Sequence, residues 1–245
     1  MIRAAVSVTF DNLGEASDLE RGWWPEDEPL GHHHSVTKAL PRLLGALDEV
    51  ALRATFFVEG LNTELYPDTL RELDARGHEV ACHGWRHERW SVLDPATERD
   101  RLQRSVDGMR ALSLQPAGFR PPGGELTDAT PALLRELGFT YCSPAAGVAT
   151  GGFPALPFRW DLLDAYHYLP HFAAMRGAQE PLPPSRLRET VLAALEQPHD
   201  HVALLFHPFL ADTGERMAAI RDVLARVREL VDAGTARCAP CRELV

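Results

Sequence analysis

Five groups of side chains able to move protons or bind a metal are spread along this sequence: Asp11-Asn12, His83 with His87, Arg120, Asp161 with Asp164, and His207. Carboxylates, imidazoles and a guanidinium are the groups that acid–base and metal chemistry use near neutral pH. His83-Gly84-Trp85-Arg86-His87 sets two imidazoles four residues apart. On a helix that spacing points both rings the same way and suits a two-histidine metal site. Taken alone the pattern is a common accident, and two exposed or hydrogen-bonded histidines explain it as well.

The elements that must position these groups follow from the apolar pattern. Short β-branched or aromatic runs alternate with segments of helical period, which signals βα units and a parallel sheet. Strands are expected at Ala4 to Phe10, Ala54 to Val58, Glu79 to Cys82, Gly118 to Arg120, Thr140 to Cys142, Leu156 to Trp160 and Val202 to Phe206, with a weaker one at Ala236 to Cys238. That count predicts an α/β fold, a closed or nearly closed distorted (β/α) barrel of seven or eight strands in a single domain over residues 1–245. Ser35 is expected to cap a helix carrying Leu40, Leu43, Leu44, Leu47 and Val50. Further helices are expected at Pro67 to Arg76, Pro95 to Leu112, Thr130 to Leu137, Pro184 to Glu196 and Glu215 to Ala233. Gly77, Gly138 and Gly234 each follow one of them, where a terminating glycine belongs. Each of the five chemical groups then falls just beyond the C-terminal end of a strand, where a parallel barrel keeps its active site.

The composition narrows the partners. A net charge of −10 without a Lys/Arg run offers no field for nucleic acid or anionic lipid. No stretch approaches the ~20 apolar residues of a membrane span. Met1 to Val8 enters a strand-like run without the apolar core of a secretory signal, so a cytoplasmic location is expected. Four cysteines are too few for a disulfide framework, and Cys238-Ala-Pro-Cys241 lacks the second pair of a zinc site. His32-His33-His34 reads best as polar loop histidines, with lining of a site as the alternative. Trp23-Trp24-Pro25, in an acidic loop, could cover a site, join a homo-oligomer interface or, more economically, pack onto its own domain.

Four motifs together resemble the polysaccharide deacetylases (NodB-homology, carbohydrate esterase family 4). Thr9-Phe10-Asp11-Asn12 resembles T-F-D-D, and His83 to His87 resembles H-S/T-x-x-H. Phe119 to Gly124 resembles R-x-P-x-G, and Leu205-Phe206-His207 resembles L-x-H. The resemblance runs from Val6 to about Pro208 and implies a distorted (β/α) barrel that hydrolyses a non-peptide C–N amide bond. By the same resemblance Asp11 is the general base, His207 the general acid and Arg120 the partner that orients Asp11. A divalent metal, expected to be zinc, is held by His83 and His87 with Asn12 and Asp11. An acidic residue after the Trp160 strand holds His207, with Asp164 preferred to Asp161.

Three positions depart from the pattern. Asn12 stands where an anionic ligand is usual, which weakens the hold on a cation and leaves a metal-free site open. Gly84 replaces Ser or Thr, as in the branch containing allantoinase-like enzymes and certain peptidoglycan deacetylases. Ala165 stands where many members place a Trp, so an aromatic wall is expected from Tyr166, Tyr168 or Phe172. The leading expectation is metal-assisted deacylation of a small-molecule or oligosaccharide N-acyl substrate such as an acylated amino sugar. The alternatives are a metal-independent hydrolase of a cyclic amide or imide, and a degenerate member that only binds a ligand. Retention of Asp11, Arg120 and His207 together counts against the last.

Overall fold

A computed structural model describes residues 4–197 and 199–245; Met1 to Arg3, read above as leading into the first strand, lie outside the described residues. The chain runs β1 (Ala4–Asp11), α1 (Ala16–Glu20), α2 (Leu40–Glu49), β2 (Thr55–Val58), α3 (Asn62–Leu65), α4 (Pro67–Ala75), β3 (Glu79–Cys82), α5 (Pro95–Ala111), β4 (Gly118–Phe119), α6 (Thr130–Leu137) and β5 (Tyr141–Cys142). There follow α7 (Asp164–Tyr168), α8 (Ala173–Arg176), α9 (Pro184–Glu196), β6 (His201–Phe206), α10 (Gly214–Asp232) and β7 (Ala236–Cys238).

All strand pairs are parallel, in the order β5-β4-β3-β2-β1-β6. β1 is the hub. One edge pairs with β6 from Ala5 to Phe10, while the other meets β2 at Thr9 to Asp11 and β7 at Ala4 to Val6. Such a strand is covered on both faces, and Val6 to Asp11 are all buried. Phe10 stacks on Phe56 at 4.8 Å between ring centres, locking β1 to β2. Outside the sheet, α2 buries Leu40, Leu43, Leu44 and Leu47, one stripe at i, i+3, i+4 and i+7. Each such leucine contributes roughly 1.5–3 kcal/mol of burial.

Two expectations are corrected. Leu156 to Trp160 forms no strand; the longer stretch Ala155 to Leu163 runs from β5 to β6 and meets the sheet only at the isolated bridges Cys142–Ala155, Ala145–Phe158 and Leu163–Leu205. Pro154 and Pro157 remove the amide donors a continuous ladder would need there. Ser35 is not a cap but lies inside a π-helical turn, Ser35–Ala39, that feeds α2. Its hydroxyl instead accepts from the Gly14 N–H at 2.9 Å and bonds His33 Nδ1 at 2.7 Å, fastening the loop after β1.

Two histidines, His78 buried and His201 half-buried, give the fold an acid limit. Burial, opposed by the charge of Asp48 and assisted by those of Arg76 and Arg53, lowers the pKa of His78 to about 4. Burial, Arg120 and His199 do the same for His201, also to about 4. The unfolded chain therefore binds more protons than the native one below the ordinary histidine value of about 6.5. Their contribution to stability is complete above that pH and is lost as the pH falls from about 6.5 toward 4. Thermal denaturation should show a falling Tm over this window, and a flat Tm would show that neither ring is held neutral.

Candidate active site

β1 delivers Asp11 and then stops, because Asn12 takes a left-handed backbone conformation at φ 58°, one that asparagine tolerates. The Asp11 carboxylate is met by Arg120, which follows β4. Its Nη1 donates to Asp11 Oδ1 at 2.7 Å and to Thr9 Oγ1 at 2.9 Å. Nε and Nη2 both donate to Ser143 Oγ, at 3.2 and 2.9 Å, and Ser143 donates onward to the Leu156 carbonyl at 2.7 Å. The guanidinium lies 4.0 Å from the Phe57 ring centre, and the residue is 1% exposed. Every direction in which this cation could turn is occupied, so Asp11 is held by a fixed charge.

His83 and His87 do meet, but not on a helix. Gly84 and His87 both have positive φ, 75° and 69°, and the Glu88 carboxylate fixes the loop by accepting from the N–H groups of Trp85 and Arg86 at 3.0 and 3.1 Å. The two imidazole centres are 5.0 Å apart. The same loop explains Gly84: a Cβ there would sit 2.8 Å from Glu88 Oε2. His83 Nδ1 donates to the Arg120 carbonyl at 2.8 Å, which leaves the Nε2 lone pair free, 3.8 Å from Asp11 Oδ2. Burial first, then the charges of Arg120 and His207, lower the His83 pKa to about 3. Burial, with the charges of His83, Arg21 and His207, also pushes His87 well down, so both rings are neutral, the form that binds metals.

Beside them, Asn12 Oδ1 is buried without a hydrogen-bond partner. Among the described residues no three His, Cys, Asp or Glu side chains form a metal-ready cluster. The donors available to a cation are thus mostly neutral: the His83 and His87 imidazoles and the orphaned Asn12 oxygen. An unsatisfied amide oxygen beside a free imidazole lone pair fits a divalent ion.

The other side of the cleft is built from β6 and α7. The Leu163–Leu205 bridge sets Asp164, first residue of α7, beside the end of β6. Asp164 Oδ1 bonds His207 Nδ1 at 2.6 Å, and Oδ2 accepts the His207 backbone N–H at 2.8 Å. Asp161 is elsewhere, paired with Arg159 at 2.5 Å on the surface. Burial works to depress the His207 imidazolium, and the charge and hydrogen bond of Asp164, with the charge of Asp11, hold the pKa above the ordinary value.

These residues share a cleft of about 160 Å³, lined by Asp11, Asn12, His83, His87, Arg120 and His207. Its apolar wall comes from Phe158, Trp160, Phe172 and Phe209, and Ala165 leaves room between them. Phe172 was expected there; Tyr166 instead packs against Phe172, and Tyr168 is buried under Arg216. Arg21 and His171 also line the cleft, unheralded by any motif. Thr9 and Ser143, which clamp Arg120, were legible only as polar residues at strand ends. The His32 to His34 run is not part of the lining: His33 is buried against Ser35 and Asp18, and His34 Nε2 approaches the Phe209 carbonyl at 3.3 Å. Of the tryptophan pair, Trp24 packs back onto the domain, 5.6 Å from the His33 ring centre, whereas Trp23 is 68% exposed.

Comparison with known proteins places this arrangement. The family model described as polysaccharide deacetylase matches residues 3–142, more than half of the chain. A peptidoglycan deacetylase-like protein of Gibberella zeae is 33% identical over 109 residues, 43% of this chain and 32% of its own. The peptidoglycan deacetylase of Helicobacter pylori is 33% identical over 103 residues, 42% of this chain and 35% of its own. The chain thus spans about a third of the length of the curated relatives it matches. Among solved structures, a Mycobacterium smegmatis protein assigned to the polysaccharide deacetylases superposes with a TM-score of 0.85 at 29% identity, covering 100% of this chain and 90% of that one. An allantoinase, at 19% identity and a TM-score of 0.71 over 93% of this chain and 85% of its own, shares the fold. With the match spanning β1 to β5 and the fold continuing it to the end of the chain, this protein belongs to the polysaccharide deacetylase family.

Proposed function

We propose that the cleft hydrolyses the C–N amide bond of a small N-acyl substrate, an acylated amino sugar being the leading class. The observation that carries the reading is the pairing of opposites in one cleft: a carboxylate fixed by Arg120 on one side, and an imidazolium fixed by Asp164 on the other. Asp11 takes the proton of the attacking water while Arg120 keeps its carboxylate in place. His207, protonated at Nε2 and anchored through Nδ1, gives its proton to the departing nitrogen. The aromatic wall excludes bulk water from the scissile bond. Proton transfers of this kind typically contribute ~10²- to 10⁴-fold each. The assignment takes the whole chain as one unit, and the free state of all four cysteines suits a reducing, cytoplasmic setting. Among the described residues no helix is long and apolar enough to cross a membrane.

A divalent ion, zinc being the expected one, would be held by His83, His87 and Asn12, with Asp11 adjacent. When bound, such an ion polarises the carbonyl and lowers the pKa of water. His83→Ala and His87→Ala should each abolish binding, and Asn12→Asp should tighten it by adding an anionic oxygen. Metal analysis and calorimetric titration check both; unchanged stoichiometry in the histidine variants would dissolve the site. That result would favour a second reading, metal-free hydrolysis of a cyclic amide, for which the neutral Asn12 speaks. An amine-release screen over N-acetyl amino sugars, formamides and cyclic ureides tests the function itself, and silence across the whole panel would refute it.

A further inference from the structure

One cation at the cleft has no carboxylate to answer it. Arg21 follows α1 and lines the cleft together with His87 and His171. Its Nη2 lies 3.5 Å from His87 Nδ1, at the outer limit of a hydrogen bond. Among the described residues Arg21 makes no ion pair, although acids flank it in sequence. Asp18 is turned to His33 Nε2 at 3.4 Å, and Glu20 reaches Arg86 at 3.6 Å. The Arg21 guanidinium lies 4.9 Å from the Trp23 ring centre. The other charges of the cleft cancel: Arg120 is paired with Asp11, and His207 with Asp164. A chain of net charge −10 therefore leaves an uncompensated positive charge at its cleft.

His171 adds a second polar group on the same lining. Like Arg21 it is exposed, and partial burial, then the charge of Arg21, lowers its pKa below the ordinary value. A space of about 160 Å³ suits a small molecule, and a guanidinium is the side chain best shaped to bind a carboxylate. We propose that the substrate carries a carboxylate near its amide, and that Arg21, assisted by His171, binds that group. The class is narrowed to N-acyl compounds that are anions, such as acylated amino acids or acidic amino sugars. This rests on the amide-hydrolase reading above, and binding is measured apart from turnover so that either can fail alone.

The probes are N-acetylglycine, N-acetyl-β-alanine and N-acetyl-γ-aminobutyrate, each beside its neutral carboxamide. Calorimetry gives Kd and amine release gives kcat/KM, for the wild type, Arg21→Ala and Arg21→Glu. At least one acid should bind about 10- to 100-fold more tightly than its amide, as expected for a charge-assisted contact. Arg21→Ala should erase that preference and Arg21→Glu reverse it. If no acid outbinds its amide, or the preference survives in Arg21→Glu, the carboxylate site does not exist. A clear preference in Kd with no amine released from any probe would keep the site and exclude these acids as substrates, while the hydrolase reading stands or falls on the amine-release panel above.

Discussion

Replacing His207 with alanine should lower kcat/KM by about 10²- to 10⁴-fold on substrates with a poor amine leaving group, and by much less where the amine departs unaided. The graded loss follows from the role: an acid matters only in proportion to the proton the nitrogen needs. The pH dependence carries the same signature. His207 acts while protonated, so the rate falls on the alkaline side as the pH passes its pKa, which Asp164 holds above the ordinary histidine value against the effect of burial. Removing that charge in Asp164→Asn should move the limb to lower pH without abolishing activity, because the amide still holds Nδ1 in place. An unmoved limb in Asp164→Asn, together with an equal penalty on good and poor leaving groups in His207→Ala, would take the acid role from His207.

Arg120→Met should cost both stability and activity. Asp11 is only 4% exposed and would lose the guanidinium that answers it. Stripping one partner from a buried ion pair typically costs about 3–5 kcal/mol. In a domain of this size that corresponds to a Tm lower by roughly 6 to 20 °C. The double variant Asp11→Asn/Arg120→Met should recover part of the loss, since a neutral amide needs no counter-ion, yet remain inactive. Thermal denaturation monitored by circular dichroism separates the cases. A single variant within about 2 °C of the wild type, or a double variant less stable than the single, would show that the pair does not hold this end of β1.

Much of this architecture could be read before any coordinates. Glu79–Cys82, Ala236–Cys238, Thr130–Leu137 and Pro184–Glu196 appear with the limits expected of them. For both helices a proline opens the apolar period, and a left-handed Gly138 closes the first of them. Leu156 to Trp160 misled because its apolar content is that of a strand, whereas Pro154 and Pro157 deny it the donors of one. The histidine loop misled in another way. Spacing alone cannot distinguish a helical turn from two positive-φ residues braced by Glu88, although the rings converge in both cases. Arg21 could not be found from the sequence, because its significance lies in what Asp18 and Glu20 do with other partners.

The same limit applies to the cleft's chemistry. Asp11, Arg120 and His207 stood out at strand ends, but Ser143 and Thr9 have meaning only through the guanidinium they clamp. Asp164 and Asp161 were nearly equivalent in one dimension. In three, a single bridge from Leu163 to Leu205 sends one to His207 and leaves the other on the surface with Arg159.

The most direct test of an acid–base amide hydrolase in this cleft is the paired release of amine and carboxylic acid from one N-acyl substrate, followed with wild-type protein and with Asp11→Asn. Wild type should release the two products in equal amounts, and the variant should do so about 10²- to 10⁴-fold more slowly while keeping its fold. Product release at the wild-type rate from Asp11→Asn would contradict the assignment of the base and, with it, the chemistry proposed for the site.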